Sequence, residues 1–337
     1  MAGKIQAPGE FELIARLFAP LAAGFAGAYG LTDDVAYLAL PGAAGSLLRT
    51  GEELIVKTDA LVAGVHFLAD DPADLVARKL LRVNLSDLAA KGARPLVYTL
   101  AAMLPPVIDY AWLERFAAGL AADQAEYGAT LVGGDLDATP GPAAFSLTIL
   151  GAIPAGRRLL RSAAKPGDAI FVSGTLGDGA LGLLALRGEL RLEDADSAYL
   201  IERYRLPRPR LALGARLLDI AHASMDISDG LAADLGHICR ASGLAAVVEA
   251  ARIPLSPAAR HTVAQDAALF ELALAGGDDY ELLFTAPPET EARLAAIGQE
   301  LDIPVARIGA MRVGEGVRLC DEQGREIRLE RAGYSHF

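Results

Sequence analysis

Ser224-Met225-Asp226-Ile227-Ser228-Asp229-Gly230-Leu231-Ala232-Ala233-Asp234-Leu235-Gly236-His237-Ile238 reads as a strand, a loop and a helix. Residues up to Ile227 suit an extended segment, and Leu231, Leu235 and Ile238 recur at helical spacing. Aspartates stand at the turn, and Gly230 follows them. An aspartate before a helix also fits an ordinary N-cap, so this stretch alone leaves both readings open.

The arrangement recurs along the chain. Short carboxylate clusters stand where apolar strands end or helices begin: Thr32-Asp33-Asp34, Lys57-Thr58-Asp59, Asn84-Leu85-Ser86-Asp87, Gly133-Gly134-Asp135 and Gly276-Gly277-Asp278-Asp279. Neighbouring carboxylates repel, and clustering them costs stability unless a cation bridges them. Magnesium takes hard oxygen ligands, usually a few carboxylates with waters and substrate phosphates. No histidine pair at zinc spacing competes for that role. Glycines beside the aspartates let the backbone approach a phosphate closely. Capping alone does not need such repetition over both halves of the chain, so the clusters together point to Mg²⁺ and phosphate chemistry.

Outward from these clusters, strands and helices alternate. Strands are expected over residues 54–58, 96–104, 129–132, 145–153, 169–173 and 280–285, and helices over 74–90, 111–127, 180–186 and 209–221. Residues 154–167 carry Arg157, Arg158, Arg161 and Lys165 with little apolar periodicity and read as a linker. The fold class expected is α/β (α+β) with two domains, residues 1–152 and 153–337.

Composition narrows the function. The chain has 337 residues, 53% of them apolar, with mean hydropathy +0.31. The uncharged apolar stretch 17–31 is too short to span a bilayer and contains Pro20, Gly24, Gly27 and Gly30. Glu10 and Glu12 lie upstream of it in place of a basic cluster, so it is a poor signal peptide as well. A cytoplasmic protein with no membrane partner is expected. The net charge of −12 disfavours nucleic acid as a partner. Cys239 and Cys320 lie outside any zinc spacing and are expected to be reduced, buried thiols.

The common nucleotide signatures are absent: no GxxxxGK[ST] loop, no GxGxxG after a strand and no kinase HRD/DFG set. Gly174-Thr175-Leu176-Gly177-Asp178-Gly179 is glycine-rich, and it fits a phosphate contact and a plain strand-to-helix turn equally well.

Several long blocks resemble the thiamine-monophosphate kinase family, within the aminoimidazole ribonucleotide synthetase superfamily. They are GEFELIARLF, TDALVAGVHF, VNLSDLAAKGARP, LVGGD, SGTLGDGALGL, DISDGLAADLGHI, GGDDYELLFT and the terminal GYSHF, in that order along nearly the whole chain. The resemblance implies an aminoimidazole ribonucleotide synthetase-like fold whose N-terminal domain pairs with its copy into a shared barrel, hence a homodimer. It implies transfer of the ATP γ-phosphate to thiamine monophosphate with several Mg²⁺ ions. By position, Asp34, Thr58, Asp59, Asp87, Asp135, Asp226 and Asp229 fall on metal ligands. Gly134, Asp135, Arg161 and Ser228 fall on ATP contacts, and His66, Asp278 and Phe337 on substrate contacts. The chain departs from the family pattern at four places: Thr32 replaces a usual glycine, Lys57 a small hydroxyl residue, Asp278 a frequent glutamate, and Leu136-Asp137-Ala138-Thr139 lacks a usual threonine and arginine.

Phosphoryl transfer asks for positioning and charge stabilisation more than covalent chemistry. The acceptor phosphate is already anionic near neutral pH, so no general base is assigned. Direct transfer without a phosphoenzyme is expected, since these loops offer no plausible His or Cys nucleophile. Arg161 supplies planar donors or is a solvated linker charge. Two other functions stay open: a sister synthetase with another acceptor, disfavoured for selenide by the lack of a cysteine near the N-terminus, and a catalytically silent nucleotide or metal sensor.

Overall fold

The computed structural model describes residues 29, 32–33, 36–38, 48–327 and 333. Two of the expected site residues, Asp34 and Phe337, lie outside the described residues.

In the first half, β1 (Ala36–Leu38), β2 (Glu52–Val62), β3 (Arg94–Leu104), β4 (Thr130–Ala138) and β5 (Ala144–Pro154) form a sheet in the order β1-β2-β5-β3-β4. Only the β3–β4 pair is parallel. One face is packed under α1 (Ala73–Ala90) and α2 (Tyr110–Tyr127). Side chains alternate across a strand, so Ile55, Leu147, Ile149, Leu100 and Phe145 point to the same side and meet Leu80, Leu81, Leu88, Phe116 and Leu120 of the helices. The Asp109 side chain caps α2 by accepting from Trp112 N at 2.8 Å, and Gly128 ends it with φ 73°, a conformation glycine adopts without a Cβ penalty. Among the described residues the opposite face carries no helix. Along it Thr58, Thr148, Thr99 and Gly133 lie in one row across four strands, with Thr58 and Thr99 exposed.

The second half holds β6 (Ala169–Ser173), β7 (Ala223–Asp226), β8 (Ala245–Glu249), β9 (Leu282–Ala286), β10 (Val305–Arg312), β11 (Gly316–Cys320) and β12 (Glu326–Ile327), ordered β12-β11-β8-β10-β6-β9-β7. Its helices are α3 (Asp178–Leu186), α4 (Asp194–Arg205), α5 (Leu211–Leu217), α6 (Leu231–Ser242), α7 (Pro257–Gln265), α8 (Ala268–Ala275) and α9 (Glu291–Leu301). The central strands are apolar on both faces because both are covered. Ile170 and Val172 pack with Leu231, Leu235 and Ile238 of α6, whereas Ala169 and Phe171 pack with α5 and α9. The end of α1, through Ala89 and Ala90, belongs to this second core and so ties the two halves together. A Cβ on Gly214 would stand 1.9 Å from Ala89 O, so only glycine permits that approach.

The structure places two of the acidic clusters inside strands, and Asp87 in the helix expected over 74–90. Asp59 lies inside β2, because β2 pairs with β5 over its whole length, from Glu52↔Pro154 to Val62↔Ala144. Asp87 lies in the last turn of α1. Gly133, Gly134 and Asp135 continue β4 in register with β3. Asp226, Asp229 and Asp278 do stand at a strand end and in loops. Cys239 is buried as expected, but Cys320 is half-buried at the end of β11. Among the described residues no helix is long and apolar enough to cross a membrane.

Candidate active site

Carboxylates from both halves meet where α1 crosses from one core to the other. Lys57 and Asp59 project from the same face of β2, two residues apart. Lys57 Nζ lies 3.2 Å from Asp59 Oδ1 and 2.9 Å from Asp87 Oδ2. Ser86 Oγ donates to Asp226 Oδ2 at 2.6 Å, joining the end of α1 to the end of β7. Burial, offset by Lys57 and reinforced by Asp226 and Asp59, pushes the Asp87 carboxyl well above its usual range. Burial raises Asp226 as well, against the hydrogen bond from Ser86. Carboxylates that resist ionisation through burial and mutual repulsion form a donor set that a hard divalent cation would satisfy.

The loop after β7 is held from below. Asp234, buried on α6, accepts from Ser228 N and Asp229 N, both at 3.0 Å. The ligand atoms of Asp229, Asp234 and His237 lie within 4.8 Å of one another. Burial, with Arg161 and Arg240 nearby, pushes the His237 imidazole down to about 3, so it is neutral at physiological pH. Arg161 opens a short turn (Arg161–Ala163) that packs on α6 and β7. Its N–H donates to Asp33 Oδ2 at 3.1 Å, its carbonyl accepts from Ser242 Oγ at 2.9 Å, and its charge acts on Asp226 and Asp234. The solvated-linker reading of Arg161 therefore gives way to a half-buried cation beside the carboxylates.

A third group joins the loop before β9 to the turn after β2. Lys79 of α1 is 2% exposed, and its ammonium reaches Asp278 Oδ1 at 2.9 Å and His66 O at 2.9 Å while lying 3.7 Å over the Tyr204 ring. His66 Nδ1 accepts from Val62 N at 3.0 Å, which places the proton of the neutral ring on Nε2. Asp278 has φ 71°, an uncommon backbone state for a non-glycine residue. Gly277 beside it is obligatory, since a Cβ there would stand 2.1 Å from Ser228 O. Tyr280 links the groups: burial and then the charges of Asp278, Asp59, Asp226 and Asp229 push its phenol well up.

Other expected residues fall elsewhere. Thr58 points to the opposite face of β2, its Oγ1 2.6 Å from Thr148 Oγ1, away from the Lys57 cluster. Asp135 is exposed on β4. Gly134 has a packing reason of its own, because a Cβ would stand 2.0 Å from Leu100 O. In the 174–179 loop, Gly177 N and Gly179 N both donate to Asp279, at 2.8 and 3.1 Å, so these two amides serve a strand-to-helix turn. Sequence reasoning missed Lys79, Lys91, Asp33 and Asp234. Lys91, fully buried, holds Asp33 Oδ1 at 2.8 Å and Ser224 O at 2.9 Å. The one available signal was its place at the end of a helix that closes with Lys91-Gly92.

This fold and site match known proteins. The family described as AIR synthase related protein, N-terminal domain, matches residues 33–153, and the AIR synthase related protein, C-terminal domain, matches residues 165–321. The chain is thus a two-domain AIR synthase related protein. The thiamine-monophosphate kinase of Caulobacter vibrioides is 46% identical over 98% of this chain and 91% of its own length, and that of Salmonella typhimurium 47% identical over 98% of each. The structure of AaThiL complexed with AMPPCP and TMP superposes with TM-score 0.81 at 31% identity, covering 98% of this chain and 97% of that one. The Stenotrophomonas maltophilia thiamine-monophosphate kinase structure gives TM-score 0.77 at 40% identity over 93% and 98%. The chain belongs to the thiamine-monophosphate kinase family.

Proposed function

We propose that the chain transfers the γ-phosphoryl group of ATP to the phosphate of thiamine monophosphate, giving thiamine diphosphate and ADP. The observation that carries this reading is the meeting of Asp59, Asp87 and Asp226, from three elements of both halves, beside a second group in which Lys79 joins His66 to Asp278. It is supported by relatives of that activity over nearly the full length of the chain.

Asp59, Asp87, Asp226 and Asp229 would hold Mg²⁺; Thr58, on the opposite face of β2, and Asp135, exposed on β4, stand apart from them, and Asp34 lies outside the described residues. Mg²⁺, when bound, neutralises the triphosphate and acceptor phosphate and so lowers the cost of bringing them together. Arg161 adds a fixed cation, and Ser228 and Gly134 line the ATP side. His66 offers the Nε2 proton, and with Asp278 and Phe337 it orients the acceptor. An acceptor phosphate oxygen bonds to the γ-phosphorus as the bond to ADP breaks, and the acceptor is already anionic, so no residue need remove a proton. A radiolabelled phosphoenzyme able to pass its phosphate on would contradict direct transfer. The same reading divides the chain at residues 152 and 153, supported by the end of β5 at Pro154 and the single short turn before β6, and it places the protein in the cytoplasm.

Incubation with ATP, Mg²⁺ and thiamine monophosphate tests the activity, with thiamine diphosphate detected by mass. Mg²⁺-dependent ATP cleavage that instead needs another phosphorylated acceptor would move the chain to a sister activity.

Lys79 gives a sharper test of acceptor binding. Lys79→Met keeps the stem and removes the ammonium that fixes Asp278 against His66. A charge-assisted hydrogen bond of this kind contributes roughly 1.5–3 kcal/mol, so KM for thiamine monophosphate should rise about tenfold or more. KM for ATP should stay near its wild-type value, and Lys79→Arg should recover part of the loss. Equal changes in both KM values would contradict a role specific to the acceptor side.

A homodimer accounts for the open face of the first sheet and for β4, an exposed edge strand with Leu136 70% and Val132 59% exposed. An uncovered apolar edge invites pairing. Leu136→Asp is expected to yield a folded monomer by light scattering, whereas an unchanged mass would point to another interface.

A further inference from the structure

We propose that the Lys57 ammonium permanently fills one cation position of the acidic cluster, so that the site binds one divalent ion fewer than the same cluster with a small neutral residue at position 57. This inference rests on the metal-holding role proposed above for Asp59 and Asp87.

The geometry leaves little room for both occupants. Nζ stands within 3.2 Å of Asp59 Oδ1 and 2.9 Å of Asp87 Oδ2, between the oxygens that a shared ion would need. A magnesium ion binds oxygen at about 2.0–2.1 Å and would have to occupy the space the ammonium now fills. Two cations in that space would also repel.

Moving the lysine away is costly. Its backbone lies in the middle of β2, where Lys57 is in register with Ile149 and the pairing is unbroken on either side. The side chain is 17% exposed. Swinging it out would leave the buried Asp87 carboxylate without its cation.

The chain repeats the device. Lys91 neutralises Asp33, and Lys79 neutralises Asp278, each buried and each within 2.9 Å of its carboxylate. A fixed ammonium differs from a bound ion in one respect: it stays when free metal is scarce. Lys57 therefore keeps β2 and α1 joined at the metal-free site.

The test counts ions without needing turnover. Wild-type protein and Lys57→Ser, each with a non-hydrolysable ATP analogue, are dialysed against Mn²⁺, and bound metal is measured per chain. Lys57→Ser is expected to hold one ion more than wild type. Its thermal midpoint should fall in chelator and recover in Mg²⁺, with a smaller response in wild type. Equal, non-zero counts in two folded proteins would overturn the inference and leave the metal site intact. No bound ion in either protein would overturn both. If Lys57→Ser does not fold, anomalous scattering from Mn²⁺-soaked wild-type crystals decides. A metal peak between Asp59 and Asp87 overturns the inference, and metal found only elsewhere in the cluster supports it.

Discussion

Replacing Asp87 by Asn should lower the rate of thiamine diphosphate formation by about 10²–10³-fold, the usual consequence of removing one preorganised electrostatic group from a reaction centre. Asp87 is 4% exposed and lies near carboxylates from both halves, on the α1 turn that carries Ser86 to Asp226. An amide keeps its shape and a hydrogen bond to Lys57 but loses the charge that would hold a divalent ion. The thermal midpoint in chelator should fall, because Lys57 keeps Asp59 but loses the charge of Asp87. Loss of activity at a temperature where the variant is still folded separates a functional role from a folding one. Activity within tenfold of wild type would remove Asp87 from the proposed metal set.

Apolar periodicity was enough to place α1, α2, β3 and β5 within a residue or two, and the aspartate-bearing stretches located Asp59, Asp87, Asp226, Asp229 and Asp278 but not Asp234. Their local state was less legible. A carboxylate next to a hydroxyl residue looks like a loop, yet Asp59 sits in β2 because β5 supplies an unbroken partner strand from far along the chain. The buried lysines were the larger omission. Lysine is normally a solvent residue, so Lys79 and Lys91 read as the polar side of a helix and its end. Their burial follows from residues distant in sequence closing over α1, Asp278 at Lys79 and Asp33 with Ser224 at Lys91, which no local window contains. The open sheet face was hidden for a similar reason. Threonine and alanine in alternation suit a strand, but they do not say whether helices, solvent or another subunit lie above. The resemblance to a family supplied residue roles by position. The structure added which of those residues touch, and it separated Thr58 from the Lys57 cluster.

The largest effect on stability is expected at Glu281, a residue with no proposed contact to substrate. It is fully buried just before β9 and takes a hydrogen bond from Ser173 Oγ at 2.6 Å. Arg203 Nη2 donates to it at 2.9 Å and Arg210 Nε at 2.7 Å, so one carboxylate answers two guanidinium groups. Arg203 is itself 3% exposed and stands on α4, whereas Arg210 lies at the start of α5. Glu281 therefore joins α4, α5 and β6 around the loop that presents Asp278 and Asp279. Gly174 fits only because it lacks a Cβ, which would stand 2.2 Å from Glu281 Oε1. Glu281→Ala removes the shared acceptor and leaves two arginines short of a counter-charge. Breaking a buried pair from one side costs about 3–5 kcal/mol. At about 2–4 °C per kcal/mol for a domain of this size, the thermal midpoint should fall by roughly 10 °C. Glu281→Gln keeps the shape and an acceptor oxygen and should fall less. The decisive comparison adds Arg203→Met to Glu281→Ala. If the network argument holds, the double variant is more stable than Glu281→Ala alone, because one stranded charge is gone. If the two losses simply add, Glu281 contributes through packing and its pairing with Arg203 carries no special weight.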